Sequence, residues 1–179
     1  MTNAELAILC LVAEKPRHGY EIEQVIEDRG MREWTEVGFS SIYYLLKKLE
    51  EKGLVIGEIQ EHSGTGPVRK VFRVTRAGRR TANVGILEIL AEPAKQVSPL
   101  QIGLANLPGV DKAEAVGAMR TYAETLRGRE EYLHERERAQ EPLPDHVRAM
   151  FSHSFALIEA ERAWVTDFIK GWESLNDED

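Results

Sequence analysis

Residues 41–54 read SIYYLLKKLEEKGL, and this stretch decides the fold. At about 100° per residue, its large aliphatic side chains fall within one third of a helix circumference. These side chains are Ile42, Leu45, Leu46 and Leu49. Gly53 is a typical helix terminator, because glycine adopts the left-handed conformation without strain. The stretch therefore predicts a helix, beginning near Phe39, that buries one side against a core.

The opposite face of this helix is a candidate binding surface, because its side chains are mostly hydroxyl-bearing and basic. The same rotation places on it Ser40, Tyr44, Lys47 and Glu51, with Tyr43 and Lys48 on its flanks. A simpler interpretation stays open at this point. Exposed lysines usually serve solvation alone, and Tyr43 is also compatible with the edge of the core.

Two further helices precede this one. The first is predicted over residues 3–13 with Asn3 as its N-cap, and Pro16 ends it. The second is predicted over residues 18–28, with Gly30 as its terminator. The apolar face of the second helix is predicted to consist of Tyr20, Ile22, Val25 and Ile26.

A hairpin is predicted after Gly53, where the apolar pattern changes to one typical of strands. Residues 54–59 and 68–74 are expected to pair across the turn sequence SGTGP of residues 63–67. The tip and the return strand are basic and carry Arg69, Lys70 and Arg73. Helix, helix, basic helix and basic hairpin, in this order, are typical of a winged helix-turn-helix.

The second half of the chain is predicted to be helical. Thr75 is the expected N-cap of a helix that reaches about Leu90, and Ser98-Pro99 opens a short helix. Long helices follow from Asp111 and from Asp145. The fold class predicted is mainly α, in three parts. These are a winged helix-turn-helix with a two-stranded β wing over residues 1–82, a connecting helix and linker over 83–97, and an all-helical domain over 98–179.

The last helix carries the predicted dimerisation surface. Phe151, Ile158, Val165 and Trp172 recur at intervals of seven residues, and Phe168 lies on the neighbouring track. The apolar stripe is wider than a two-stranded coiled coil needs, so it is expected to meet more than one helix. We therefore predict that residues 98–179 form a dimerisation domain and that the partner is a second copy of the chain.

Charge is distributed unevenly along the chain. The formal net charge of −7 opposes nucleic-acid binding at first sight. Residues 40–80, however, hold nine basic and four acidic residues, a net +5, whereas residues 1–39 hold four basic and eight acidic. A local basic surface is what a phosphate backbone attracts, so double-stranded DNA is the predicted partner.

Composition and motifs exclude several other classes. With 42% hydrophobic and 30% charged residues, the chain should fold, and the apolar run of residues 6–13 is too short for a membrane span. We expect a cytoplasmic protein without membrane contact. Residues 38–41 lack the setting of a hydrolase nucleophile, and the histidines lack metal-ligand spacing. We therefore predict no enzyme, no metal site and no cofactor.

The first half of the chain resembles the PadR family of bacterial regulators. Four motifs carry the resemblance in the expected order: HGYEI at residues 18–22, the stretch 41–54, GPVRKVF at 66–72 and TRAG at 75–78. It extends over about residues 4–80, and the helical remainder is similar to the C-terminal domain of larger members. The sequence departs from the family pattern at Phe72, where tyrosine is common, and at Tyr44, where many members have proline.

The resemblance implies a homodimer that places one recognition helix per subunit in the major groove and usually represses transcription. The implied contacts on the recognition helix are Ser40, Ser41, Tyr43, Tyr44, Lys47 and Lys48. Those on the wing are Thr65, Gly66, Arg69 and Lys70. Some members respond to small aromatic or cationic ligands, so such an effector is a further expectation. The alternative is a winged helix that binds protein, which predicts an apolar or acidic third-helix face.

Overall fold

The computed structural model describes most of the chain, namely residues 1–35, 37–38, 41–60, 69–93 and 98–174. The molecule divides into two compact units, Met1–Gln96 and Val97–Asp179. The boundary expected at residue 82 falls inside a continuous helix of the first unit.

Three helices form the helix-turn-helix part of the first unit: α1 (Asn3–Glu14), α2 (Gly19–Asp28) and α3 (Ile42–Glu51). The N-cap predicted for α1 is wrong by one residue. Thr2, not Asn3, caps the helix, because the Glu5 N–H donates to Thr2 Oγ1 and the Thr2 N–H donates to Glu5 Oε2. This reciprocal pair of hydrogen bonds satisfies two backbone N–H donors at once. A cap at Asn3 does not satisfy both of them.

The wing is a hairpin of β2 (Val55–Gln60) and β3 (Arg69–Val74). A short strand β1 (Arg17–His18) pairs with β3 on its other side, so the described residues form a sheet of order β1-β3-β2, antiparallel throughout. The prediction of a two-stranded wing is confirmed. It did not include β1, because two residues are too few to show a strand periodicity.

One hydrophobic core holds α1, α2, α3, the sheet and the next helix together. The buried face of α3 is the one predicted from its periodicity. Tyr20 was wrongly placed on the buried face of α2, since its side chain is exposed. The largest apolar side chains that are fully buried in this core are Ile8, Leu9, Leu11, Ile22, Ile26, Ile42, Leu46 and Leu49.

The remaining helices are α4 (Arg76–Ala91), α5 (Pro99–Ala105), α6 (Lys112–Ala139) and α7 (Asp145–Ser174). Thr75, Ser98 and Asp111 cap α4, α5 and α6 through their side chains, as predicted. The prediction of a mainly α protein with a winged helix-turn-helix and a helical C-terminal part is confirmed. None of the helices in the described ranges has a stretch that is long and apolar enough to span a bilayer.

Candidate nucleic-acid interface

Helix α3 has one buried and one exposed face. Ile42, Leu46 and Leu49 are at most 1% exposed and lie in the core. On the opposite face, Tyr43 and Tyr44 are each 63% exposed. Large side chains that project from a helix held rigidly by its other side are suited to contact a partner surface.

The ring of Tyr43 packs against Gly19 at the start of α2. A Cβ atom added to Gly19 would lie 2.5 Å from Tyr43 Cε1, which is too close for a real contact. The ring therefore rests on the bare backbone of Gly19 and still exposes most of its surface. Tyr43 thus lies at the edge of the core and also faces solvent, and its contact with DNA stays a prediction.

Lys47 is the most accessible predicted lysine of this face, with a side chain 74% exposed. Its Nζ lies 3.9 Å from Glu51 Oε1 one turn further on, which is an i,i+4 pair of little energetic weight. Tyr44 beside it has the Lys48 Nζ 6.0 Å from its ring centroid. Tyr43, Tyr44 and Lys47 are here named the exposed recognition face, because the sequence predicts that these exposed residues contact DNA.

Lys48 is held within the domain. Its Nζ lies 2.8 Å from Glu5 Oε1, and Lys52 Nζ lies 2.9 Å from the same oxygen. Glu5 itself is 1% exposed. The hydrogen bond from Lys48, helped by Lys52 and the Thr2 amide, lowers the pKa of Glu5 from 4.5 to about 2, although burial acts in the opposite direction. This pair of lysines fastens α3 to α1.

Lys70 is also paired internally. Its Nζ lies 2.7 Å from Glu50 Oε2, at the end of α3, and 5.3 Å from the centroid of the Phe72 ring. Glu50 Oε1 accepts the Gly57 N–H at 3.1 Å. These contacts join α3 to the wing. The Lys70 hydrogen bond, together with that of Gly57, lowers the pKa of the Glu50 carboxyl against the effect of burial.

Ser41 lies at the N-terminus of α3, where its hydroxyl donates to the Gly38 carbonyl at 2.7 Å. It thereby closes the turn that precedes the helix. The other predicted contacts, Ser40, Thr65 and Gly66, lie outside the described residues, as does the side chain of Arg69.

The predicted dimerisation residues all lie on α7, which packs along α6. Val165 is fully buried within a single chain, so in this conformation it has no surface to offer a partner. Phe151, Ile158, Phe168 and Trp172 are half-buried. The large apolar side chains that α7 exposes are Met150, Leu157 and Trp164, also seven residues apart. The exposed track is thus displaced by one residue from the predicted track, because α6 covers the predicted one.

Two carboxylates that join α3 to neighbouring elements, Glu5 and Glu50, were missed from the sequence. The pattern Thr2-x-x-Glu5 is a recognisable capping box, so the local role of Glu5 was detectable. Its bonds to Lys48 and Lys52 were not, because they depend on how α1 and α3 pack. The same holds for Glu50, whose partners lie on two strands of the wing.

A helix-turn-helix completed by a wing, with a polar face on its third helix, defines the class of winged-helix regulators. Residues 8–84 match the family described as the transcriptional regulator PadR-like family. An uncharacterized protein of Lysinibacillus sphaericus is 33% identical over 72 residues, which is 40% of this chain and 64% of that protein. The match thus spans less than two thirds of that relative's length.

Solved structures with the same fold cover nearly the whole chain. Bacillus subtilis PadR in complex with operator DNA is 16% identical, with a TM-score of 0.77 over 94% of this chain and 98% of that one. The same protein in complex with p-coumaric acid is 15% identical, with a TM-score of 0.80 over 96% and 99%. A PadR-like regulator of Bacillus cereus, BC1756, is 17% identical with a TM-score of 0.68 over 97% and 99%. Residues 8–84 thus match the PadR-like family of transcriptional regulators, the family that the motifs of the first half resemble, and the solved structures share the fold of nearly the whole chain.

Proposed function

We propose that this protein binds a pseudo-palindromic DNA operator sequence-specifically as a homodimer and represses transcription from it. The observation that carries the proposal is the exposed recognition face of Tyr43, Tyr44 and Lys47, on a helix whose other side is buried. Tyrosine hydroxyls and a lysine can donate to base edges and phosphates in the major groove. The complex of Bacillus subtilis PadR with operator DNA supports the same use of the fold here.

A selection experiment tests this proposal without knowledge of the operator. The wild-type protein is used to enrich duplexes from a random-sequence library, and the affinity for the enriched duplex is then compared with that for a scrambled duplex of equal composition. We expect an enriched sequence with two-fold symmetry and half-sites about one helical turn apart. Absence of enrichment would reject the proposal and favour the protein-binding alternative.

The homodimer is proposed to form through the exposed apolar track of α7, Met150, Leu157 and Trp164. Side chains at seven-residue spacing are suited to pack along another helix. We commit to a second copy of the chain as the partner, because one recognition helix reads only half of a two-fold symmetric site. Half-buried Phe151, Ile158, Phe168 and Trp172 would border this contact, whereas Val165 would support it from within the chain.

A small aromatic effector is proposed to control DNA binding. On α7, Trp164 and Phe168 stack with centroids 5.3 Å apart, and Phe168 and Trp172 do so at the same distance. Bacillus subtilis PadR has been solved with p-coumaric acid, and an aromatic ladder of this kind can stack on such a ligand. Titration with p-coumarate should quench tryptophan fluorescence and weaken DNA binding. Neither effect would be seen if the ladder is purely structural.

A further inference from the structure

We propose that Glu50 is a positioning residue that sets the angle between the wing and the recognition helix. It does so by binding Lys70, whose side chain passes over Gly57. This inference rests on the proposed function and assigns a positioning role to a residue of the same surface. Glu50 lies on the last turn of α3, while Gly57 and Lys70 lie on the two strands of the wing. One carboxylate therefore joins all three elements that a winged helix presents to DNA.

Both oxygens of the Glu50 carboxylate are occupied. Oε1 accepts the Gly57 N–H at 3.1 Å, and Oε2 accepts from Lys70 Nζ at 2.7 Å. Hydrogen bonds to an ionised acceptor are stronger than neutral ones, and two bonds in different directions restrict the group more than one. Glu50 can thus fix the orientation of β2 and β3 relative to α3, and not merely attract the wing.

Gly57 has no side chain and therefore leaves the space through which the Lys70 side chain reaches Glu50. In the sheet Gly57 pairs with Phe72 and Ile59 pairs with Lys70, so Lys70 lies diagonally opposite Gly57 on the same face. A Cβ atom on Gly57 would lie 1.9 Å from Lys70 Cε and 2.8 Å from Glu50 Oε1. The lysine stem therefore crosses the neighbouring strand in the space that a side chain would fill. Gly57 has no positive φ, so backbone conformation does not explain the glycine.

This arrangement gives Lys70 a role different from a phosphate contact. Its ammonium is shared between the Glu50 carboxylate and the face of the Phe72 ring, and Phe72 belongs to the core. A lysine that is neutralised internally releases no counterion from DNA, so it should add nothing to the salt dependence of binding. A lysine on a phosphate adds about 0.9 to that slope.

The test uses the full-length protein and measures affinity for the duplex enriched by the wild type and for its scrambled counterpart, over a range of salt. The variants are E50Q, K70M, the double variant E50Q/K70M, and G57A, whose added methyl group displaces the flexible end of Lys70. The matched control is E58Q, because Glu58 is the neighbour of Gly57 and accepts a hydrogen bond at 2.9 Å from Arg73, which also lies on the wing.

We expect each single variant to lower the ratio of specific to scrambled affinity by about tenfold, the value of one charge-assisted hydrogen bond. The double variant should be no worse than the single ones, since all remove the same link. K70M should leave the salt slope unchanged, and E58Q should behave as wild type. The proposal is overturned if K70M flattens the slope by about one unit while E50Q leaves binding unchanged or strengthens it.

Amide hydrogen exchange of Gly57 provides a readout that needs no DNA. A glutamine oxygen can still accept the Gly57 N–H, so this measurement uses E50M, which removes both oxygens. E50M should accelerate exchange of the Gly57 N–H relative to E58M, and an unchanged rate overturns the link. If the wild type enriches no duplex, DNA binding itself fails, and the exchange rate still decides whether Glu50 holds the hairpin.

Discussion

Lys47 is the residue on which the DNA-binding proposal is most directly tested. It is 74% exposed and only loosely paired, whereas Lys48 and Lys70 are bound to carboxylates of the same domain. We expect Lys47→Ala to lower operator affinity and to flatten the dependence of log affinity on log salt by about 0.9, because one phosphate contact is lost. Fluorescence anisotropy at several salt concentrations measures both quantities.

Lys170→Ala is the control for this prediction. Lys170 on α7 is exposed to a similar degree and belongs to a comparably loose pair with Asp167. It should leave affinity and slope unaltered. Equal effects of the two substitutions would mean that overall charge, and not the exposed recognition face, governs binding.

Glu5 makes stability depend on acidity. Its folded pKa of about 2 lies below the ordinary value of 4.5, so its ionised form stabilises the folded state above about pH 4.5, and this contribution is lost as pH falls towards 2. The shift corresponds to about 3 kcal/mol. Between about pH 5 and pH 2 the wild type should therefore lose more unfolding free energy than Glu5→Gln, by about this amount.

Urea denaturation at each pH checks this prediction, with Glu51→Gln as the control. Glu51 lies on the exposed side of α3, where it forms a loose ion pair with Lys47 at 3.9 Å. Replacing Glu51 with glutamine should leave the pH dependence of the unfolding free energy as it is in the wild type. An identical acid profile for Glu5→Gln and wild type would show that the buried carboxylate does not contribute.

At the scale of the element, the packing of α4 on the end of the helix-turn-helix is unusually close. A Cβ atom at Gly78, in the first turn of α4, would lie 1.9 Å from the Leu54 carbonyl oxygen. The backbone at Leu54 cannot shift aside to relieve this clash as the flexible end of a side chain could. Gly78→Ala should therefore destabilise the first unit by about 1–3 kcal/mol, the usual cost of overpacking.

The same substitution elsewhere should act in the opposite direction. Gly117 lies within α6, and a Cβ atom there meets nothing within 4 Å. Gly117→Ala should stabilise its helix by about 0.5–1 kcal/mol, because alanine loses less backbone entropy on folding. Urea denaturation followed by circular dichroism compares the two variants. If both substitutions changed the free energy of unfolding in the same direction, the packing argument for Gly78 would be contradicted.

For the whole molecule, the central expectation is a dimer of twice 20.3 kDa. Leu157→Asp should dissociate it, because the substitution places a charge in the middle of the exposed track on α7. Since Leu157 is exposed in a single chain, the α6–α7 pair should stay folded. Light scattering gives the mass, and circular dichroism confirms the helical content.

Ser152→Asp is the matched control, because it adds the same charge to an exposed position of α7 outside the apolar track. This variant should remain dimeric. Dissociation by both substitutions, or by neither, would rule out the track as the dimer contact. In a monomeric Leu157→Asp, operator affinity should also fall steeply, since two half-sites are no longer bound as one unit.

Much of this protein was determined by its sequence alone. The apolar period of residues 42–49, the terminating glycines and the capping side chains of Thr75, Ser98 and Asp111 specify helices through neighbours close in the chain. Four motifs in the expected order also indicated the resemblance of the first half to the PadR family. These signals are local, so they are read without knowledge of how the elements pack.

The tertiary structure determines which of the predicted lysines are held by carboxylates from other elements of the same domain. Lys47 and Lys48 are adjacent in the chain, yet Lys48 is bound by Glu5 and Lys47 faces solvent. The hydrogen bond from Lys52 to Glu5 joins residues 47 positions apart. Val165 likewise matches a dimer track by spacing but is covered by its own chain. The reason is physical: pairing and burial depend on distances between elements, which periodicity along one element does not specify.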